Sequence, residues 1–318
     1  MDAETFRRIW GNEYVKTVIT LALMFLLLLC LLFGAQLALG TEYPALAVAS
    51  GSMLPTLNIG DLIIVQKVEP FEINADPKGL TGDILVYKRG NELIVHRAVK
   101  IELRDSVYYI TTRGDNSGAD DPAWPSSLLV GKVIARVPYL GNLPLFLHSE
   151  RNTYMIFLIF IAILLIVLML PSSSHNGGKS SLEGEFIINR SRTFPKINSN
   201  LFAYIILNIV IFGLIIFSLW GSFTFWQPGA TPTYSTIRGM YADIEFHKNF
   251  PRVSEAILYQ SLLLYKIDCD VDGGGTRLGV PAFSWYQLFI LIFIAFNALK
   301  ILRHVKRWKA VNADKAKV

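Results

Sequence analysis

Ser52 lies in the stretch Ser50-Gly51-Ser52-Met53-Leu54-Pro55, between a glycine and a bulky apolar residue. Downstream, His96 closes the run Ile94-Val95-His96, and Gly114-Asp115-Asn116 followed by Asp120-Asp121 adds carboxylates. A serine hydroxyl is a weak nucleophile until a neighbouring base takes its proton, and an imidazole, with an ordinary pKa of ~6.5, suits that work near neutral pH. An aspartate accepting from the second ring nitrogen would fix the tautomer and stabilise the imidazolium. Asp115, Asp120 and Asp121 are the candidates for that third place. Simpler readings stand beside each residue. Ser50 suits a turn, and Asp115 in Gly-Asp-Asn suits an Asx-turn. Lys88, Lys100 and Arg97 suit solvated strand positions, with a serine-lysine dyad as the competing chemistry. His148, His175, His247 and His304 read as surface residues at membrane boundaries or linkers.

These residues must be positioned by a chain of 318 residues that is 52% hydrophobic and only 17% charged, which is the composition of a membrane protein. A helix needs about 20 mostly apolar residues to cross a bilayer, and the segments 17–39, 153–170, 201–220 and 284–302 qualify. Basic residues gather on cytoplasmic loops. Arg7, Arg8 and Lys16 mark segment 1–16, Lys179, Arg190, Arg192 and Lys196 mark the linker 171–200, and Arg303, Lys306, Arg307, Lys309, Lys315 and Lys317 mark the tail 303–318. Segments 40–152 and 221–283 mix acids with bases and are expected outside, with both termini in the cytoplasm. The net charge of +5 is thus a marker of topology, and nucleic acid is not an expected partner. The first apolar run is longer than a cleavable signal needs, so it reads as an uncleaved anchor.

Between the first two spans the pattern becomes that of strands. Leu62–Val65, Asp83–Tyr87, Leu93–His96, Val107–Thr112 and Val130–Ile134 are β-branched or aromatic runs broken by turn residues. They predict a mostly-β domain, with Lys88–Asn91 as the hairpin turn that sets His96 on a sheet. Residues 257–265 fit either a strand or a short surface helix, and segment 221–283 carries no recognisable chemistry. Cys30, in the first span, and Cys269, in the second outer segment, are poorly placed for an internal disulfide. No Cys/His spacing suggests a metal, Gly273-Gly274-Gly275 reads as a flexible turn, and no cofactor is expected.

Ser50-Gly51-Ser52-Met53-Leu54-Pro55-Thr56, Gly82-Asp83-Ile84-Leu85-Val86-Tyr87, Val95-His96-Arg97-Ala98-Val99, Gly114-Asp115-Asn116 with Asp120-Asp121, and Gly131-Lys132-Val133 before Val137-Pro138-Tyr139-Leu140-Gly141 occur in that order. Over about residues 15 to 150 this series resembles the type I signal peptidases (peptidase family S26). His96, where bacterial relatives carry a lysine, is similar to the archaeal and endoplasmic-reticulum branch. The resemblance implies a signal-peptidase/LexA-like β fold, anchored in the membrane with four transmembrane helices. It implies Ser52 as nucleophile, His96 as general base, Asp121 as triad acid and Asp115 as an acid that organises the loop. Ser50 would supply its hydroxyl to the oxyanion hole beside the backbone N–H of Ser52. Ser117 and Pro122 depart from the branch pattern and leave the choice between Asp120 and Asp121 open.

The implied activity is removal of signal peptides from exported preproteins at the outer face of the cell membrane, by a serine endopeptidase in contact with lipid. Its alternatives are a non-catalytic scaffold or sorting factor that binds signal-like helices, and a peptidase serving a few substrates. Residues 201–318 would then recruit a membrane-protein partner, and truncation after Pro171 would spare activity.

Overall fold

The computed structural model describes residues 13–147, 199–226 and 233–315. Helix α1 (Glu13–Leu39) is apolar nearly throughout, as a helix facing lipid on all sides must be. It stops where Gly40 takes φ 65°, the left-handed conformation that commonly ends helices. The Leu39 carbonyl there accepts from Lys67 N–H at 2.8 Å, so the anchor is stitched directly to the end of a strand.

The following strands are β1 (Ala45–Ala47), β2 (Leu62–Gln66), β3 (Ile84–Arg89), β4 (Glu92–Arg104), β5 (Val107–Arg113), β6 (Trp124–Pro125) and β7 (Leu129–Val137). Each expected strand is present. β4 is much longer than its predicted core because alternation continues past His96 through a bulge between Ala98 and Lys100. β3 lies between β4 and β7. Its Ile84 and Val86 pack with Met53, Leu57, Ile63 and Val65 on one face, and its Leu85 and Tyr87 pack with Ile110 and Trp124 on the other. A strand covered on both faces reads as an unbroken apolar run, and each buried aliphatic side chain there contributes roughly 1.5–3 kcal/mol.

After the short helix α2 (Asn142–Leu147) the described chain resumes in α3 (Ser199–Trp220), followed by β8 (Ser222–Trp226), β9 (Tyr234–Arg238) and α4 (Met240–Lys248). Strands β10 (Val253–Ser261), β11 (Leu264–Val271), β12 (Thr276–Arg277) and β13 (Ala282–Phe283) lead into the final helix, α5 (Trp285–Lys315). Residues 257–265 are therefore strand, turning at Leu262 and Leu263.

Strands from the two segments expected outside, 40–152 and 221–283, share one sheet. β10, β11 and β13 continue the sheet of the first domain, in the order β10-β11-β13-β7-β3-β4-β5-β6. Residues up to Asn142 and Asp243–Phe283 make one compact unit. The join is a parallel pairing of Ala282 with Arg136, supported by Arg136 N–H donating to Pro281 O at 2.8 Å.

Beneath that join lies a buried charge cluster. Arg136 bonds Asp61 at 2.7 Å and Asp243 at 2.5 Å, while Asn58 Nδ2 and the Tyr265 hydroxyl donate to Asp243 at 2.8 and 3.1 Å. Burial drives the Asp243 carboxyl up, but Arg136 and His247 outweigh it and hold the pKa at about 2. Asp61, shared with the same arginine and facing the charge of Asp243, is pushed up by burial. His247, expected at the surface, is only 1% exposed, because its Nδ1 lies 2.7 Å from the Asp243 carbonyl inside this cluster.

The second unit holds the described residues between Leu143 and Ala242 and from Ser284 onward. Its two long helices, α3 and α5, are joined by polar side chains amid apolar ones: the Tyr204 hydroxyl donates to Asn297 Oδ1, and Asn297 Nδ2 donates to Asn208 Oδ1 at 2.8 Å. Such bonds tie helices together where no water competes. Among the described residues, Val15–Leu39, Leu201–Trp220 and Trp285–Lys306 are long and apolar enough to cross a membrane. The expected span 153–170 and the linker after it fall outside the described residues, apart from the first turn of α3.

Candidate active site

Strand parity assembles the site. On paired strands, residues directly opposite share a face, and residues two apart along a strand do too. His96 is opposite Leu85, Ala98 is opposite Thr112, and Tyr87 lies two residues beyond Leu85. His96, Tyr87 and Thr112 therefore emerge on the same face of the β3-β4-β5 ribbon. Asp121 is held over that face by its own N–H, which donates to Thr112 O at 2.8 Å.

Its carboxylate collects all three side chains. His96 Nδ1 is 2.6 Å from Asp121 Oδ2, Thr112 Oγ1 donates at 2.7 Å, and the Tyr87 hydroxyl lies at 3.4 Å. Trp124 stacks on Tyr87 with ring centroids 4.3 Å apart and donates through Nε1 to Thr112 Oγ1 at 3.3 Å. Burial raises the Tyr87 phenol above its ordinary pKa, and the Asp121 charge adds to that. Tyr87 thus stays a proton donor. An ionised carboxylate can only accept, so a hydrogen bond between Asp121 and His96 puts a proton on His96 Nδ1.

Nε2 looks toward Gly114 and the main chain of Ser52. A Cβ at position 114 would come within 2.7 Å of Ser52 O and 3.1 Å of His96 Nε2, so only glycine lets the imidazole and the serine segment approach this closely. The segment itself is folded by Leu57 N–H donating to Met53 O at 2.9 Å, with both side chains buried. Met53 therefore belongs to the core. Asn116 clasps the same segment from outside, its N–H donating to Ser52 O at 2.9 Å and its Nδ2 to Gly51 O at 3.2 Å. Ser50 Oγ lies 3.3 Å from Ser52 Oγ. Ser50, Ser52 and His96 line one cleft of about 300 Å³ with apolar walls from Val48, Met53, Leu57, Leu93 and Val95.

Asp115 stands on the other face. Arg97 holds it bidentately at 2.8 and 2.7 Å, and Thr56 Oγ1 donates to it at 2.5 Å. Arg97 was expected in solvent but is 2% exposed. Its remaining donors reach Gly82 O at 2.9 Å and Leu278 O at 3.0 Å. Burial opposes the Arg97 charge, yet Asp115 outweighs it and raises the pKa. Asp120 is turned away from His96 and pairs with Arg113. Lys88 and Lys100 are exposed and pair with Glu42 and Glu102. Among the described residues no group of His, Cys, Asp and Glu could hold a metal ion.

Sequence reasoning missed Tyr87, Thr112, Asn116 and Arg97 as parts of this arrangement. Strand parity could have found the first two. Nothing local marks Arg97 as buried, because one of its partners, Leu278, is 181 residues away.

No family model matches the sequence. The signal peptidase complex catalytic subunit sec11 of Schizosaccharomyces pombe is 33% identical over 129 residues, an alignment that covers 33% of this chain and 68% of that protein. The chain belongs to the Sec11 family of signal peptidase catalytic subunits. The Sec11 protein of Dictyostelium discoideum is 28% identical over 173 residues, spanning 50% of this chain and 92% of its own length. The human subunit SEC11C is 30% identical over 128 residues, or 36% of this chain and 63% of its own length. The similarity to Sec11 proteins thus takes in half of this chain or less.

Proposed function

We propose that this chain is a membrane-bound serine endopeptidase that removes N-terminal signal peptides from exported preproteins. The observation that carries the reading is the 2.6 Å pairing of His96 Nδ1 with Asp121, which leaves Nε2 facing the Ser52 segment across Gly114.

In the proposed reaction Ser52 Oγ attacks the scissile carbonyl while His96 Nε2 takes its proton. The tetrahedral oxyanion is met by Ser52 N–H and the Ser50 hydroxyl. Collapse breaks the C–N bond, His96 returns the proton to the leaving amine, and the signal peptide remains as an ester on Ser52. Water then attacks the ester with His96 again as base, releasing the carboxylate and restoring the hydroxyl. Asp121 keeps the imidazole in its tautomer throughout. Asp115, clamped by Arg97, is a positioning residue for the loop that carries Asn116 and Asp121.

Anchoring supports the substrate assignment. The catalytic unit follows α1 directly, so it samples peptide bonds near the membrane face at high effective concentration. The expected topology places residues 40–152 and 221–283 outside and both termini in the cytoplasm, with residues 201–318 available to a membrane-protein partner. Purified protein in detergent should cleave a preprotein, and Ser52→Ala and His96→Ala should each lose at least about a thousandfold in rate. Cleavage by either variant at the wild-type rate sinks the reading.

A further inference from the structure

The loop that clasps Ser52 has a second side. Gly114 and Asn116, which touch the serine segment, also line a separate cavity of about 400 Å³ whose far wall comes from residues 250–252, Val271, Asp272 and Arg277. Its ionisable lining is unbalanced. Asp115 is spent on Arg97 and Arg113 is paired with Asp120. Lys78, Arg252 and Arg277 make no ion pair among the described residues, against one lining acid without a cationic partner there, Asp272. Arg277 Nε is buried without a hydrogen-bond acceptor. A buried donor in that state is costly unless a ligand supplies the acceptor.

Ser52 and its clasp therefore separate two cavities of different chemistry, and β3 runs between them. The loop before its first residue, at Lys78–Leu80, lines the basic cavity, whereas its last residue, Arg89, lines the apolar cleft. Next to Arg89, Lys88 pairs with Glu42, three residues beyond the anchor's last residue. On the peptidase reading, an apolar signal segment coming from the membrane would occupy the cleft, and the chain beyond the scissile bond would run past Asn116.

We propose that the basic cavity receives the first residues after the cleavage point and selects acidic side chains there. The proposal rests on the peptidase reading and gives it a specificity supplied by the chain around β10 to β12. Carboxylates would answer the lining charges of Lys78, Arg252 and Arg277.

Two measurements on the full-length protein in detergent test it. In the first, preproteins identical except for four residues after the cleavage point carry Glu, Gln or Lys there. The wild type should process the acidic substrate about fivefold faster in kcat/KM than the basic one, the scale of two or three partly exposed ion pairs, and Lys78→Glu with Arg252→Glu should reverse the order. Equal rates, or an order that the double variant leaves unmoved, overturn the proposal. In the second, Ser52→Ala protein is titrated with labelled product peptides that begin with Glu or Gln. The acidic peptide should bind about fivefold tighter at low salt, with the difference erased at high salt and by the double variant. Equal binding overturns the proposal as well. If no preprotein is cleaved while the acidic peptide still binds selectively, it is the peptidase reading that has failed.

Discussion

Asp121 and Asp243 each gather a tyrosine hydroxyl, a small polar side chain and a basic group, Asp121 from Tyr87, Thr112 and His96 and Asp243 from Tyr265, Asn58 and Arg136. The basic group separates them. An imidazole is the side chain suited to passing a proton on, and the carboxylate partner of His96 keeps 16% of its side-chain surface exposed beside an open cleft. Arg136 keeps its charge at any working pH, and its partner is 2% exposed. The same hydrogen-bonding pattern thus serves proton transfer in the proposed mechanism when built around an imidazole at a cleft, and joins two distant stretches of chain when built around a buried guanidinium.

That contrast reverses the expected effect of truncation. Removing everything after Pro171 leaves every proposed catalytic residue in place, yet it takes away Asp243 from Arg136, the Pro281 carbonyl from the Arg136 amide, and the Leu278 carbonyl from Arg97. Such a chain should fail to form a protease-resistant sheet and should not cleave preprotein. Wild-type activity in the truncated form would show that residues 40–142 stand alone and that the buried cluster is dispensable.

Asp243→Ala isolates the cluster. Arg136 keeps Asp61 at 2.7 Å but loses one of its two buried carboxylates, a loss at or below the roughly 3–5 kcal/mol of breaking a buried ion pair, so the thermal midpoint should fall by several degrees. Cys269 reports the same event locally. It is 3% exposed, and burial pushes its thiol up to about 11, so it should resist a maleimide in the Cys30→Ser background and react readily once Asp243→Ala loosens β11. The acid limb carries a sign as well. Because the folded pKa of Asp243 is about 2, below the unfolded ~3.9, its contribution is complete above the unfolded value and lost as pH falls toward 2. Asp61, pushed upward, acts in the opposite direction, since its proton is held better in the folded state. Asp243→Asn should therefore flatten acid unfolding, and an unchanged acid limb would place the loss elsewhere.

The proposed catalytic face was legible because its information is local. Ser52, His96 and Asp121 sit in short ordered motifs, and the alternation of β3, β4 and β5 fixes which side chains share a face. Asp120 and Asp121 differ by one residue, which in extended chain decides the direction of the side chain, and with its amide pinned to the Thr112 carbonyl it is Asp121 that lies against His96. The far end of the sheet was not legible. Strands β10 and β11 look like any hairpin, and nothing local in Val253–Phe283 marks β13 as the neighbour of β7. Pairing across more than a hundred residues is set by surface fit and by charges such as Asp243, whose meaning depends on an arginine far away in sequence. His247 and Arg97 were misplaced for the same reason: their burial is conferred by segments that a local pattern does not mention.

The two tyrosines give the finest test of the difference between the carboxylates. Tyr265→Phe removes a buried hydroxyl 3.1 Å from an ionised acid, a bond to a charged group of the kind that contributes roughly 1.5–3 kcal/mol. It should lower stability while leaving kcat on a preprotein nearly unchanged, because no proposed catalytic residue contacts it. Tyr87→Phe removes a hydroxyl at 3.4 Å from Asp121, near the limit of a useful hydrogen bond, and keeps the ring that stacks on Trp124. Its stability cost should stay below about 1 kcal/mol, and its effect should appear instead as a change of at most a few-fold in kcat and a shift of the low-pH limb of the rate profile. Removing a donor from Asp121 leaves the carboxylate more basic and better able to hold the imidazolium, so the inflection should move upward. If Tyr87→Phe costs as much stability as Tyr265→Phe and leaves the pH profile fixed, then Asp121 is as much a structural joint as Asp243, and the division between the two regions fails.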